Sequence, residues 1–231
     1  MIRRAVAAAA LVPAAAVLAG CGSSSSGGEG NPAVLAPSSS AAPAAGGASG
    51  CTAPPSAQPE QQHYASEPPL TISRTTYTAT IVTNCGTITV ALDGKDAPHT
   101  VNSFVFLAGK HYFDNTKCHR LTTSGIFVLQ CGDPTASGTG GPGYQFRDEN
   151  LKGAAYPAGT VAMANAGPGT NGSQFFFVYA DTQLPPNYTP FGRVTSGLDI
   201  LKAIADKGST PPGDGRPNQP VTITSFTVTK G

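Results

Sequence analysis

The stretch that decides the fold is VAMANAGPGTNGSQFFFVY, residues 161–179. Two apolar runs flank a loop of glycine, proline and asparagine, and the second run is rich in aromatic side chains, which favour strands. The loop, Gly167–Gly172, also fits the dinucleotide-binding pattern G-x-G-x-x-G. That pattern requires a helix after the glycines, whereas Phe175–Tyr179 is typical of a strand. The stretch therefore predicts a tight loop between two strands and no nucleotide site.

The composition excludes several classes of function. Among 231 residues the formal net charge is +1 and only 12% are charged, so no basic surface for nucleic acid is expected. The sequence contains no Gly-x-Ser-x-Gly and no Cys-x-x-Cys, and its four histidines have no metal-binding spacing. Hydrolase and zinc chemistry are therefore not predicted, and we expect neither a metal nor a cofactor.

The first twenty residues have the organisation of a secretory signal peptide. A basic start, Met1–Arg4, precedes an apolar run, Ala5–Val17, that is too short to span a membrane. The run ends in Leu-Ala-Gly-Cys at residues 18–21, which resembles the bacterial lipobox. The sequence thus predicts a signal peptide over residues 1–20, lipidation of Cys21 and an anchor on the extracytoplasmic face of the cell membrane. An ordinary signal peptide with a chance cysteine is the alternative.

Residues 21–70 have a composition of their own, dominated by Ser, Gly, Ala and Pro. Such a segment buries too little apolar surface to offset the entropy of ordering, so we predict a disordered tether followed by a folded domain over residues 71–231. An exported chain favours disulfides, and three pairings are possible among the four other cysteines. A zinc site that includes Cys118 and His119 is the alternative. The four cysteines are Cys51, Cys85, Cys118 and Cys131.

Several strands and two helices are predicted in this domain. Alternating apolar residues predict a hairpin over residues 77–92. One helix is predicted from Pro98 to a C-cap at Gly109, and a second between an N-cap at Ser196 and Gly208.

Further strands follow from the remaining patterns. Two are predicted around a turn at Thr122–Gly125, and Ser209–Pro220 is predicted to be a loop. The alternation changes phase between Ile223 and Phe226, which predicts a β-bulge in the last strand. Many short strands with Gly/Pro turns favour a sandwich or a barrel.

Few side chains suited to catalysis or binding remain. They are one arginine on a strand, Arg120, two side-chain amides, Gln130 and Gln174, several phenylalanines and the small-residue edge Ala164–Ala166. This set lacks a nucleophile beside a base, so it does not suit hydrolysis. Strand-edge amides can pair with an extended peptide, and aromatic side chains can line a pocket for an apolar ring.

These residues lie in motifs that resemble the cyclophilin-type peptidyl-prolyl cis/trans isomerases, in family order over residues 75–230. The motifs are HR at 119–120, GIFVLQCGD at 125–133, GTGG at 138–141, FRDEN at 146–150, MANAGPGTNGSQFF at 163–176 and FGRV at 191–194. The resemblance implies a mainly β fold: an eight-stranded antiparallel β-barrel capped by two α-helices, with the active groove on its outer face.

The physical chemistry agrees with the implied activity. Rotation about a peptide bond costs about 18–20 kcal/mol because of amide resonance. A guanidinium that donates to the prolyl nitrogen favours the twisted amide, since the nitrogen gains a lone pair there. The resemblance implies Arg120 as the catalytic donor. It also implies a substrate-binding set of Phe127, Val128, Gln130, Ala164, Asn165, Ala166, Gln174 and Phe176.

The sequence departs from the family pattern in four places. Two extra residues lie between Arg120 and Gln130, and Cys118 stands where phenylalanine is usual. Pocket positions often held by tryptophan and histidine are Leu184 and Tyr188, which complete the predicted substrate-binding set. Without the tryptophan, cyclosporin binding is expected to be weak.

Cys118 and Cys131 bracket the two strands that carry Arg120 and Gln130. If these strands pair around the turn between them, the cysteines lie opposite each other, which predicts a Cys118–Cys131 disulfide. A pairing of Cys85 with either cysteine is the alternative.

The sequence thus predicts a monomeric, membrane-anchored prolyl isomerase that acts on X-Pro bonds of exported polypeptides and assists their folding. The alternative is a peptide-binding or chaperone module on a cyclophilin scaffold with little turnover. The set Arg120, Phe127 and Gln130 favours the enzyme, because a binding module would not need the arginine.

Overall fold

The computed structural model describes residues 50–231 as a mainly β domain, which confirms the predicted fold class. Cys21, the predicted signal peptide and the tether as far as residue 49 lie outside the described residues. Neither described helix has the length and apolar character needed to cross a membrane. The elements are β1 Thr76–Thr83, β2 Gly86–Asp93, α1 Pro98–Gly109, β3 Arg120–Thr122, β4 Val128–Cys131, β5 Thr160–Met163, β6 Phe175–Val178, β7 Pro190–Ser196, α2 Leu198–Ala205, β8 Ser209–Thr210, β9 Asp214–Pro217 and β10 Ile223–Lys230.

The ten described strands form one antiparallel sheet in the order β10-β1-β2-β7-β5-β6-β4-β3-β9-β8. The eight strands implied by the resemblance correspond to β1–β7 and β10. The β8–β9 hairpin falls where the sequence predicted a loop, because its short strands show no apolar alternation. Beyond the strand ladder, Asn115 donates to the carbonyl of Ile223 at 2.7 Å and Cys118 to that of Val221 at 3.0 Å. These bonds join the segment before β3 to the start of β10, so the sheet curls around a core.

The β1–β2 hairpin forms where the alternation predicted it. Apolar residues face each other from Tyr77 opposite Leu92 to Ile81 opposite Ile88. Where β1 pairs with β10, the register skips Thr224, which confirms the predicted bulge in the last strand.

The ends of both helices differ from the prediction. Gly109 lies within α1, and His111 beyond it adopts the left-handed φ of 56° that a C-cap glycine would have supplied. Ser196 is the last residue of β7, and Gly197, with φ 91°, precedes α2. A Cβ at Gly197 would lie 2.8 Å from the carbonyl oxygen of Thr87, so the tight entry to α2 requires glycine.

An aromatic cluster fills the space between α1 and the sheet. Phe104 is completely buried, and its ring centroid lies between 4.6 and 5.9 Å from those of Phe113, Phe175, Phe191 and Phe226. Its partners come from the turn after α1 and from β6, β7 and β10. One side chain therefore ties the helix to three strands.

Residues 50–70, predicted to belong to the tether, lie against the domain, and we call them the N-terminal arm. One end of the arm is fixed covalently by a disulfide between Cys51 and Cys85. Beside it, the backbone N–H of Thr52 donates to the carbonyl of Asn84 at 2.8 Å, and the Asn84 side chain donates back to the Thr52 carbonyl at 2.8 Å.

The other end of the arm is held by helix α1. The side-chain amide of Asn102 donates to the carbonyls of Pro68 and Pro69 at 3.3 and 3.0 Å, and a Glu67 carboxylate oxygen lies 2.6 Å from Nδ1 of His99. The tether prediction therefore does not hold for residues 50–70. A covalent link and hydrogen bonds to the domain offset an ordering entropy that apolar burial alone would not.

The second disulfide of the described residues joins Cys118 to Cys131, as predicted. The strands beside it pair with Arg120 opposite Gln130. Because Cys85 is bonded to Cys51, the alternative pairing of Cys85 is excluded. Because the sulfur atoms of Cys118 and Cys131 are bonded to each other, neither can bind a metal ion. The alternative of a zinc site that includes Cys118 is therefore excluded as well.

Candidate active site

Four neighbouring strands place one row of side chains on the outer face of the sheet. Arg120 on β3 is paired with Gln130 on β4, Gln130 with Phe176 on β6, and Phe176 with Ala162 on β5. Paired residues on neighbouring strands point to the same face, because side chains alternate along each strand. The row therefore brings a cation, an amide and an aromatic ring together from separate parts of the sequence.

The guanidinium of Arg120 is held by two partners. Its Nε and Nη2 each donate to a carboxylate oxygen of Asp214 at 2.7 Å, and Nη1 donates to Oε1 of Gln130 at 3.3 Å. A guanidinium has five N–H donors, so two remain outside these three bonds. The side chains of Arg120 and Asp214 are 39% and 54% exposed, so a ligand can approach the pair.

The contact between these two side chains shifts the pKa of each. The hydrogen bonds from Arg120 to Asp214 raise the pKa of Arg120 and lower the pKa of Asp214. Burial lowers the pKa of the neighbouring His119, so that imidazole is neutral near pH 7. Arg120 and Asp214 are therefore an ionised pair at neutral pH, and His119 adds no charge beside them.

Asp214 was not predicted from the sequence. It lies on β9, which pairs with β3 so that Thr122 is opposite Asp214 and Leu121 is opposite Gly215. Two glycines, Gly213 and Gly215, flank Asp214 and indicate a tight turn. Nothing in the sequence links that turn to an arginine 94 residues away.

A chain of side-chain amides extends the row away from Arg120. Gln130 donates through Nε2 to Oε1 of Gln174 at 2.8 Å, and Gln174 donates through Nε2 to the carbonyl of Gly140 at 2.9 Å. Asn165 donates its side-chain amide to the carbonyl of Asn187 at 2.9 Å. The structure thus brings five of the predicted residues to one cavity: Gln130, Ala164, Asn165, Ala166 and Gln174.

An apolar cluster lies on the outer face next to this row. The rings of Tyr188 and Tyr156 lie 5.7 and 6.4 Å from that of Phe176. Four predicted pocket residues, Val128, Phe176, Leu184 and Tyr188, therefore lie together. The buried members are Val128, Tyr156, Ala162, Phe176 and Val178, and the half-buried ones are Ile126, Ala154, Ala164, Leu184 and Tyr188.

Phe127 is placed elsewhere. It is half-buried against the main core, with its ring 6.0 Å from that of Tyr179, while Ile126 belongs to the outer cluster. Phe127 precedes β4, which begins at Val128, so the regular alternation of that strand does not extend to it. Five cluster members were not named from the sequence: Ile126, Ala154, Tyr156, Ala162 and Val178.

The arrangement suits recognition of an extended peptide. It combines a fixed cation, amide side chains and an apolar surface that can receive a ring. Within residues 50–231 no group of His, Cys, Asp and Glu could hold a metal ion. The fold and the site define a class of protein: a curled antiparallel sheet with two helices, which carries a cavity and an apolar cluster beside an arginine on its outer face.

The comparisons with known proteins agree with this class. The sequence profile described as "Cyclophilin type peptidyl-prolyl cis-trans isomerase/CLD" matches residues 78–228. The chain belongs to this family.

Two curated mycobacterial relatives are similar in sequence. The probable peptidyl-prolyl cis-trans isomerase B of Mycobacterium leprae (strain TN) is 52% identical over 166 residues, which cover 65% of this chain and 56% of that protein. The probable peptidyl-prolyl cis-trans isomerase B of Mycobacterium tuberculosis (strain ATCC 25618 / H37Rv) is 52% identical over 160 residues, which cover 63% of this chain and 52% of that protein. The chain thus spans little more than half the length of these relatives.

Solved structures show the same fold. A crystal structure of a cyclophilin type peptidyl-prolyl cis-trans isomerase from Cryptosporidium parvum has a TM-score of 0.60 and 29% identity, and covers 68% of this chain and 99% of its own. A crystal structure of that enzyme in the presence of the dipeptide Ala-Pro has a TM-score of 0.59 and 30% identity, with coverages of 67% and 99%.

Proposed function

We propose that this chain is a peptidyl-prolyl cis-trans isomerase. The observation that carries the proposal is the guanidinium of Arg120, held by Asp214 and Gln130 in the same row as Phe176. Family membership supports the same activity, and the related enzyme from Cryptosporidium parvum was crystallised in the presence of Ala-Pro. All the site residues belong to one chain, which is consistent with action as a monomer.

The proposed mechanism forms and breaks no covalent bond. Rotation about the X-Pro bond removes amide conjugation and leaves a lone pair on the prolyl nitrogen. The two N–H donors of Arg120 that Asp214 and Gln130 do not use would donate to that lone pair. This interaction exists in the twisted state and is absent from the planar states, so it lowers the barrier.

The remaining residues hold the substrate. The outer apolar cluster around Phe176 and Val128 offers a surface for the proline ring. Gln130 and Asn165 carry side-chain amides in the lining of one cavity and would bind the substrate backbone. Asp214 fixes the guanidinium before substrate arrives, which avoids reorganisation in the transition state.

Isomerisation of an Ala-Pro peptide by the chain tests the proposal. The uncatalysed exchange takes tens to hundreds of seconds, and we expect acceleration in proportion to protein concentration. Peptide binding without any acceleration would contradict the isomerase and support the chaperone alternative.

Replacing Asp214 by asparagine is expected to lower kcat by about tenfold and to change KM little. A tenfold effect corresponds to the loss of roughly one charge-assisted hydrogen bond. Asparagine offers one acceptor oxygen and no charge, so the guanidinium loses its bidentate partner. Steady-state kinetics on the same peptide measures the effect.

Two further variants separate positioning from general damage. Asp214→Glu keeps the carboxylate and should recover part of kcat, while Asp199→Asn, an exposed carboxylate on α2, should behave as wild type. Full activity of Asp214→Asn would show that Arg120 needs no carboxylate partner.

We also propose that the enzyme acts on exported polypeptides at the extracytoplasmic face of the membrane and assists their folding. The lipobox-like sequence ending at Cys21 supports the anchor. The two disulfides of residues 50–231 support export, because disulfides persist mainly in oxidising compartments.

Cys21→Ala is expected to move the protein from the membrane fraction to the soluble fraction of a bacterial host, because acyl chains on the cysteine would supply the membrane affinity. Fractionation and immunoblotting measure the distribution, with Ser23→Ala as the control that should stay in the membrane fraction. Retention of Cys21→Ala on membranes would refute the lipid anchor.

A further inference from the structure

The loop between β6 and β7 carries one wall of the outer apolar cluster. Leu184 and Tyr188, which stand where the family often has tryptophan and histidine, both lie on this loop. Residues 183 and 185–187 are exposed, so the loop buries little surface of its own. The position of the wall therefore depends on the hydrogen bonds that hold the loop to the rest of the domain.

One residue, Tyr156, holds this loop near both of its ends. At the start of the loop, the backbone N–H of Thr182 donates to the carbonyl of Tyr156 at 3.1 Å. Near its end, the Tyr156 hydroxyl donates to the carbonyl of Tyr188 at 2.8 Å, and the N–H of Tyr188 donates to the same hydroxyl at 3.1 Å. A single phenol thus satisfies both backbone groups of Tyr188.

The ring of Tyr156 also links the wall to the sheet. Its centroid lies 6.4 Å from that of Phe176 and 6.3 Å from that of Tyr188, and the latter two are 5.7 Å apart. The three rings therefore form a compact triangle. Tyr156 is only 2% exposed, and burial raises its pKa, so the hydroxyl keeps its proton at neutral pH and can donate.

We propose that Tyr156 is a positioning residue that sets the width of the proline pocket. By fixing both backbone groups of Tyr188, its hydroxyl holds the wall of Leu184 and Tyr188 at a distance from Phe176 that accepts a five-membered ring. The specificity that follows is for proline over imino acids with larger rings, such as the six-membered pipecolic acid. This inference rests on the proposed function, since it requires a prolyl ring in the outer apolar cluster.

The hydroxyl has no substitute in the part of the chain that the structure describes. Over residues 50–231, neither backbone group of Tyr188 has a hydrogen-bond partner other than Tyr156. Tyr188 is only half-buried, so without the hydroxyl these groups would turn to water and the wall would occupy other positions as well. A substrate would then bind only the fraction of molecules with the wall in place, which raises the apparent Kd in inverse proportion to that fraction.

The chemical step should not depend on this contact. Arg120 lies on β3, and its hydrogen bonds go to Asp214 and Gln130, which belong to other elements than the loop. Once a substrate has bound with the wall in place, the guanidinium meets it in the same geometry. Loss of the Tyr156 hydroxyl is therefore expected to weaken binding and to leave turnover unchanged.

The test compares the full chain with Tyr156→Phe on an Ala-Pro peptide, because this variant keeps the ring and removes only the hydroxyl. We expect KM to rise about fivefold, the loss of roughly one neutral hydrogen bond, while kcat changes less than about twofold. Titration of the peptide should show the same weakening of equilibrium affinity. An unchanged KM, or a fall in kcat alone, would overturn the inference.

A second measurement tests the width of the pocket directly. The proline of the peptide is replaced by pipecolic acid, whose ring is larger by one methylene. We expect wild type to favour proline in kcat/KM by about tenfold, a usual effect of one methylene in an apolar pocket, and Tyr156→Phe to favour it by only about threefold. The same preference in both proteins would show that the hydroxyl does not set the width.

Tyr77→Phe is the matched control for removal of a hydroxyl. Tyr77 on β1 is also buried, and its hydroxyl accepts the N–H of Ser73 at 3.0 Å, but it belongs to the main core. This variant should lose stability, as measured by urea unfolding, and keep the KM and the ring preference of wild type. A rise in KM equal to that of Tyr156→Phe would attribute the effect to general loosening of the domain.

A double-mutant cycle separates positioning from a structural role. If Tyr156 acts through the wall, Tyr156→Phe should raise KM much less in a chain that already carries Tyr188→Ala, because most of the wall is then missing. Equal effects of Tyr156→Phe with and without the Tyr188 side chain would contradict positioning.

The measurements also separate this inference from the proposed function. A chain whose affinity for Ala-Pro peptides depends on the Tyr156 hydroxyl, but which does not accelerate isomerisation, would overturn the isomerase and leave the positioning role in place. A chain whose catalysis depends on Arg120, but whose KM and ring preference ignore Tyr156→Phe, would do the reverse.

Discussion

Arg120→Ala is expected to lower the kcat/KM of prolyl isomerisation by about 10²–10³-fold, the usual cost of removing one donor aimed at transition-state charge. In the proposed mechanism the guanidinium supplies the donor to the prolyl nitrogen, and the structure offers no second cation in its row across β3, β4, β6 and β5 within residues 50–231. Stopped-flow or NMR exchange measurements on an Ala-Pro peptide give the ratio directly.

The fold should survive this change, because the Arg120 side chain is 39% exposed and belongs to the outer face. Circular dichroism of the variant should match that of wild type. Arg120→Lys keeps the charge but cannot bridge Asp214 and Gln130 together, so an intermediate rate is expected. Arg193→Ala, at an exposed position on β7, is the matched control with an unchanged rate. An unchanged rate in a folded Arg120→Ala protein would refute the mechanism.

Phe104→Ala is expected to lower the free energy of unfolding by about 3–5 kcal/mol, the usual cost of removing a buried phenylalanine. Phe104 is completely buried, and its ring contacts four other phenylalanines, so truncation leaves a cavity that rigid neighbours cannot fill. Urea unfolding followed by circular dichroism measures the difference, with both disulfides kept oxidised.

Phe106→Ala on the same helix is the matched control. Phe106 is half-buried and packs on Tyr64 of the N-terminal arm, so we expect a loss of only about 1 kcal/mol. Equal losses for the two variants would contradict the central role of Phe104 in the core. A further consequence of Phe104→Ala is a lower isomerase rate near the unfolding midpoint, since Phe175 in the damaged cluster is adjacent to Phe176 in the groove.

Local patterns predicted most of the elements. The β1–β2 hairpin, the bulge at Thr224 and the tight loop before β6 all follow from the alternation of apolar residues or from glycines, which act over a few residues. The Cys118–Cys131 disulfide was predictable for the same reason, because it closes a hairpin. Such features depend only on neighbours in the sequence.

The face on which a side chain lies was harder to predict. Phe127 lies between the turn at Thr122–Gly125 and the start of β4 at Val128, where strand alternation does not fix the face of a side chain. The resemblance named both Phe127 and Val128 for the pocket; the structure places Val128 in the outer cluster with Ile126 and packs Phe127 against the main core.

Contacts between distant segments were not predictable. Asp214 meets Arg120 because β9 pairs with β3, and a short hairpin without apolar alternation gives no sign of its partner. The N-terminal arm was missed because its composition is that of a disordered segment. What orders it is the pairing of Cys51 with Cys85 and hydrogen bonds to the domain, and these depend on the folded surface.

The Cys51–Cys85 disulfide also has a mechanical consequence. A force applied to the chain at residue 50 is transmitted through the Cys51–Cys85 bond to the turn of the β1–β2 hairpin. Both strands of that hairpin are paired with further strands, β1 with β10 and β2 with β7. The segment between Cys51 and the start of β1 then carries no tension, because both of its ends are attached to the same rigid sheet. His63, which lies against Gly143 in the middle of that segment, is therefore outside the path of a force applied to the preceding chain.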